Sequence, residues 1–236
     1  MVPVFSDKSL PKLIKLGLAI VLSLLMVSII PSVDHLPQVN TTWQLIGLGI
    51  NELLIGLIIG MVFRFLFTGI LLAGSIAGYQ MGLMFANMFD KDQNSQVSVI
   101  SRFWYVIAIL FFLSINGHHM IINSLAESFM VIPLGNLNAA GSGGEMLIKY
   151  SGYIFIIAIK IVSPIMITLF LIDISLGTIA KMMPTMNVFF VGMPVKISVG
   201  VFMMALSLPL FVYVIEKAMG YMDTELRLIL YAIGEA

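Results

Sequence analysis

The sequence predicts an all-α, polytopic membrane protein built of long kinked helices and helical hairpins. Composition is the first reason: 60% of the 236 residues are hydrophobic and 10% charged, with a mean hydropathy of +1.07, against about 45–50% apolar and about 25% charged in a soluble domain. Length is the second. At about 20 residues per span the chain holds about four to six helical segments, and no polar stretch is long enough for a soluble domain. Residues 1–236 therefore read as a single membrane domain. The absence of cysteine excludes disulfides and Cys-type metal or redox sites. Net charge is zero and no basic patch exists, so nucleic acid is not an expected partner.

The first element is Leu16 to Ile30, preceded by Lys8, Lys12 and Lys15 and ended by Pro31. No small-x-small cleavage site follows it, so it reads as a retained helix rather than a removed signal. The loop Pro31 to Thr42 holds Asp34 and no Lys or Arg, which places the N-terminus on the cytoplasmic side. Trp43 to Phe67 is the next span, with Trp43 at belt position and Glu52 and Arg64 inside the run. Those two charges lie about 18 Å apart along a straight helix and about 120° apart around it, so each needs a partner elsewhere.

Past Thr68, Gly74, Gly78 and Gly82 recur every fourth residue, a small-residue face suited to close helix packing within the chain or between chains. A polar connection, Asp90 to Gln96, leads to Arg102 and the Phe103 run. Asn136 to Gly144, rich in Gly, Asn, Ser and Ala, divides the chain into two halves. The second half reads as a helical hairpin: Glu145 to Met183, interrupted by Lys160, Pro164 and Asp173, then a turn from Lys181 to Lys196 bounded by Pro184 and Pro194, then Val195 to Met222. Glu216 to Ala236 reads as an amphipathic end piece rather than a span. Beyond the first loop, Lys and Arg do not alternate consistently between sides, a pattern that fits helices packed in an unusual assembly.

Function concentrates in Ser101 to Gly135, where an apolar run is broken by Asn116-Gly117-His118-His119 and resumes. A helix break leaves backbone groups that lipid cannot satisfy, so it survives only against protein or a water-filled cavity. One reading is a capping turn, with Asn116 and Gly117 at positive φ and the His rings satisfying stray carbonyls. The other places the turn at a constriction in which Phe111, Phe112 and Leu113 form an apolar plug, with Met81, Met84 and Met88 as flexible lining; dewetting gates of this kind need no cofactor. A metal site is not expected. His118 and His119 point about 100° apart on a helix, His35 is distant, and Glu127 is out of register with a His-Glu-x-x-His face. Ser142, in Gly141-Ser142-Gly143, is a weak partner for a His in an intramembrane protease. No enzyme is expected. A secondary transporter using Glu52, Arg64, Lys160 and Asp173 beside the broken helix is the alternative, but no inverted repeat is detectable.

Several motifs together carry a resemblance. They are Pro3 with Pro11-Lys12-Leu13-Ile14-Lys15-Leu16-Gly17-Leu18, Ala73-Gly74 to Gly78-Tyr79-Gln80-Met81-Gly82-Leu83-Met84-Phe85-Ala86, and Phe111-Phe112-Leu113-Ser114-Ile115-Asn116-Gly117-His118. Ser128-Phe129 to Pro133-Leu134-Gly135 and Met183-Pro184 to Phe189-Phe190-Val191-Gly192-Met193-Pro194 complete the set. In this order and spacing the chain resembles the FliR family of bacterial flagellar export-gate proteins, related to the virulence SctT proteins.

The resemblance implies a non-enzymatic subunit of a type III protein export gate, without cofactors, in the bacterial cytoplasmic (inner) membrane at the flagellar basal body. It implies one copy of this chain assembled with FliP, FliQ and FlhB, passing unfolded flagellar proteins. It also implies a FliP-like half, 1–135, and a FliQ-like helical hairpin, 145–222, with Phe111 to Gly117 helping to plug the closed pore. Helices held largely above the bilayer plane would explain the irregular distribution of positive charge. Two departures stand out. The family usually carries an apolar segment before the Pro-rich start, so an upstream helix is expected, and the family's Asp-Pro is Asp90-Lys91 here.

Overall fold

The computed structural model describes residues 11–29, 41–83, 98–132, 134–135, 143–185 and 187–234. They form α1 (Lys12–Ile29), α2 (Thr42–Gln80), α3 (Val99–Ser114), α4 (Gly117–Val131), α5 (Gly143–Ser151), α6 (Tyr153–Met182), α7 (Val188–Leu206) and α8 (Leu208–Gly234), with no strand among the described residues. Among the described residues three stretches are long and apolar enough to cross a membrane: α2, Gly144–Met182 and α7. The pair α3 and α4, bent by 67° at a short break, makes a fourth if it is one span. The protein is an all-α polytopic membrane protein.

Several boundaries differ from the expected ones. The expected span Trp43 to Phe67 and the glycine segment after it are one helix, α2, of 39 residues; Thr68-Gly69 contains no stop signal, and the apolar run simply continues. The helix does not break at Pro164 either. Proline supplies no N–H to the carbonyl four residues back, that of Lys160, but the Ser163 hydroxyl donates to this carbonyl at 3.2 Å. The real interruption of that arm is Gly152, whose N–H bonds the Lys149 carbonyl at 3.2 Å. That tighter i to i−3 closure separates α5 from α6.

The turn of the hairpin is also shorter than expected. Helix α7 starts at Val188, so Pro194 lies inside a helix rather than at the end of a turn. The expected helix Val195 to Met222 is divided at Ser207, where Pro209, near the start of α8, cannot donate to the previous turn. Ser207 stays tied to the end of α7, donating its N–H to the Met203 carbonyl at 2.9 Å and its hydroxyl to the Met204 carbonyl at 3.0 Å.

The chain clusters into two compact units: Met1–Leu66, Phe112–Gly152 and Met219–Ala236 in one, and Phe67–Phe111 with Tyr153–Ala218 in the other. In the first, Val62, Phe63 and Leu66 of α2, Phe112, and Met222, Leu226, Ile229, Leu230 and Ile233 of α8 are buried. The α8 residues recur every three or four positions, so the tail is amphipathic with its apolar stripe against protein. In the second, α6 packs on α7, and Ile157, Ile161, Ile165 and Leu169 line one face of α6. Its opposite face exposes Phe155, Ile156, Ile159, Ile167, Phe170 and Leu171, apolar surface suited to hydrocarbon or to another chain rather than to water.

Candidate functional site

Within the first unit, the helix break is a two-residue turn, Ile115-Asn116, after the end of α3 at Ser114. Asn116 sits in the left-handed region at φ 59° and ψ 32°, a conformation that Asn tolerates better than most residues. Its N–H bonds the Leu113 carbonyl at 3.1 Å, and its own carbonyl accepts from His119 N–H at 2.9 Å, which starts α4. The Asn116 side chain makes no cap. Gly117, expected to share the positive φ, instead begins the helix. Its requirement is spatial: a β-carbon there would lie 2.8 Å from Phe112 Cζ, with two further ring atoms closer still.

Phe112 is fully buried and packs edge-on to Phe63, ring centroids 6.5 Å apart at 83°. Phe111 is half-buried, while Leu113, Ser114, Ile115 and Asn116 are exposed. The break thus has an anchored base at Phe112 and an exposed apolar rim at Leu113 and Ile115. The histidines do not cap it as expected. His118 and His119 rings lie 4.3 Å apart, and His118 Nδ1 is buried without a hydrogen-bond partner. Among the described residues no group of three His, Cys, Asp or Glu could hold a metal. His35, Met84, Met88, Asp90-Lys91 and Ser142 lie outside the described residues.

The far end of α4 is held on several sides. Ile132 N–H donates to Ser128 carbonyl at 2.9 Å, and the chain then turns through Gly135 at φ 83°. Asn51 Nδ2 of α2 donates to the Gly135 carbonyl at 2.9 Å, and the Gly135 backbone also bonds Glu52. Glu52 therefore has a structural partner that spacing alone could not name. Arg64 is exposed on α2. On the other side, Arg227 Nη1 of α8 bonds Glu127 Oε1 at 2.9 Å.

In the second unit, Asp173 of α6 pairs with Lys196 of α7 and accepts from Gln80 Nε2 at 3.1 Å. The pair borders a cavity of about 370 Å³ lined also by Met81, Gly82, Phe189 and Met193. Lys160 is exposed on α6. The carboxylates of Glu52 and Asp173 thus have separate local partners. Gly74 and Gly78 lie beneath Ser101 and Ser98 at the start of α3, so their face is used within the chain. Gly82 is beyond the end of α2, in a turn at φ 79°.

The fold and the site define a helical membrane protein with an apolar helix pair bent at a short break, and among the described residues no group of three metal-ligating side chains is assembled. A family model described as bacterial export proteins, family 1, matches residues 1–222. The chain belongs to the FliR family of these bacterial export proteins. It is 29% identical to the flagellar biosynthetic protein FliR of Bacillus subtilis (strain 168), over 99% of this chain and 90% of that one. It is 31% identical to the FliR of Escherichia coli (strain K12), over 88% of this chain and 78% of the relative. With the FliR of Aquifex aeolicus (strain VF5) it shares 34% identity over 88% of this chain and 80% of the relative.

Proposed function

We propose that this chain is a non-enzymatic, pore-forming subunit of the bacterial flagellar type III export gate, passing unfolded flagellar proteins across the cytoplasmic membrane at the basal body. A role in flagellar protein export follows from membership in the FliR family. The observation that carries the pore role is the break at Ile115-Asn116 inside an apolar helix pair, because irregular backbone within a membrane-spanning run is tolerated where it lies against protein or lines a water-filled cavity. Phe111 to His118 form the plug: Leu113 and Ile115 supply the apolar rim, Phe112 holds it from behind, and Asn116 and Gly117 set its shape. Closure works by excluding water, and an extruded chain opens it by displacing the rim.

The protein works as one copy with FliP, FliQ and FlhB, residues 1–135 acting as a FliP-like half and 145–222 as a FliQ-like hairpin. The apolar outward face of α6 supports this, since it is suited to a neighbouring chain as well as to hydrocarbon. Co-expression tests the proposal. A tag on this chain should bring down FliP and FliQ from detergent extracts; a stable monomer that captures neither would overturn it. The virulence SctT proteins would share the same arrangement.

A further inference from the structure

We infer that the C-terminal helix α8 is a strap holding α4, and that Arg227 is its clasp, setting how tightly the constriction at Ile115-Asn116 closes. This rests on the constriction proposed above. Helix α4 begins at the break and is pinned at its other end by α8. Gly234 fits so closely that a β-carbon would lie 2.8 Å from the Val131 carbonyl oxygen, and Arg227 bonds Glu127 one helical turn earlier on α4. The strap itself is fixed by its buried stripe of Met222, Leu226, Ile229, Leu230 and Ile233.

The clasp is different in kind. The Arg227 side chain is 52% exposed and Glu127 20%, and exposed ion pairs add little to folding stability. Breaking this one leaves the apolar contacts in place while freeing α4 to shift, a change that α4 transmits to its first turn and so to the rim. Asp223 also accepts from Arg227, at 3.3 Å, but it lies on α8 itself. It orients the guanidinium without linking the two helices.

The test uses cells with the complete export apparatus and reads two quantities: resting leak of a small fluorescent dye, and export of a flagellar subunit. Arg227→Gln and Glu127→Gln are each expected to raise leak several-fold with export kept within about twofold. The double variant should leak no more than either single, because both remove the same link. Asp223→Ala should leave the leak unchanged. The control is Leu113→Ala with Ile115→Ala, which strips the rim directly. If the control leaks while neither Gln variant does at wild-type protein levels, the clasp is overturned and the constriction stands. If the control does not leak, the constriction fails and the clasp with it. Multiplying leaks in the double variant would also overturn the link. Should a Gln variant fail to accumulate, Arg227→Lys decides: leak near wild type supports the clasp, and leak at the level of the control overturns it.

Discussion

The ring of Phe112 occupies the space that a side chain on Gly117 would need. This one pair explains why glycine follows the turn. Gly117 has ordinary helical geometry, so alanine there would gain up to about 1 kcal/mol of helix propensity if space allowed. A methyl group 2.8 Å from Phe112 Cζ forces the ring off its seat on Phe63, and overpacking of this kind costs about 1–3 kcal/mol. Gly117→Ala is therefore expected to lower the thermal stability of the detergent-solubilised protein. Adding Phe112→Leu should recover part of the loss, a non-additivity that a thermal-shift double-mutant cycle reads directly.

Asn116 makes a complementary prediction from backbone alone. Its left-handed φ of 59° disfavours β-branched residues, and its side chain makes no cap to lose. Asn116→Gly should be neutral or slightly stabilising, while Asn116→Val should cost about 1–2 kcal/mol. Equal unfolding midpoints for the two variants would contradict the turn geometry.

Exposure at the break separates its residues in a cross-linking experiment, which the cysteine-free chain makes clean. Single cysteines at Leu113 and Asn116 should cross-link to a stalled export substrate. A cysteine at Phe112, 0% exposed, should not. Cross-links at Phe112 equal to those at Leu113 would mean that the base, and not the rim, lines the path.

The pairing of Asp173 with Lys196 and Gln80 predicts unequal single and double substitutions. Lys196→Met alone leaves a carboxylate in an apolar hairpin with only an amide partner, at a cost of about 1–3 kcal/mol for this partly exposed pair, below the range for a fully buried one. Lys196→Met with Asp173→Leu should unfold nearer to wild type, since replacing both charges removes the desolvation problem. Resistance of the solubilised protein to proteolysis at the α6–α7 turn gives the ranking.

Much of this was legible in the residues, because hydrophobic runs and turn residues report directly on membrane helices and their breaks. The broken pair at Asn116, the hairpin after residue 145 and the amphipathic tail follow from such local signals. What escaped is long-range or compensatory. Pro164 signals a kink on its own, but the Lys160 carbonyl it leaves without an N–H donor is taken up by the Ser163 hydroxyl, and the helix continues. Glu52 and Arg64 are visible as costly charges, but nothing local shows that Glu52 turns toward Gly135. The partnership of Glu127 with Arg227 spans 100 residues, and neither residue stands out from other helix-surface charges.

The three glycines of the small-residue face separate into two mechanisms, and their substitutions should too. At Gly74 a β-carbon would lie 2.8 Å from Ser101 N and 2.9 Å from its Oγ, and at Gly78 it would lie 3.0 Å from Ser98 Cβ. Backbone cannot move aside as a flexible side chain can, so Gly74→Ala must push α3 away from α2, with an expected loss of about 2–3 kcal/mol. At Gly82 the nearest atom is Met193 Cγ at 3.6 Å, an ordinary contact, and the obstacle is the positive φ of 79°. Gly82→Ala should then cost only about 1 kcal/mol, and Gly82→Asn less, because Asn accepts the left-handed region. Chemical unfolding of the three variants checks the order: a Gly74→Ala variant as stable as Gly82→Asn would show that α2 and α3 do not pack through these glycines.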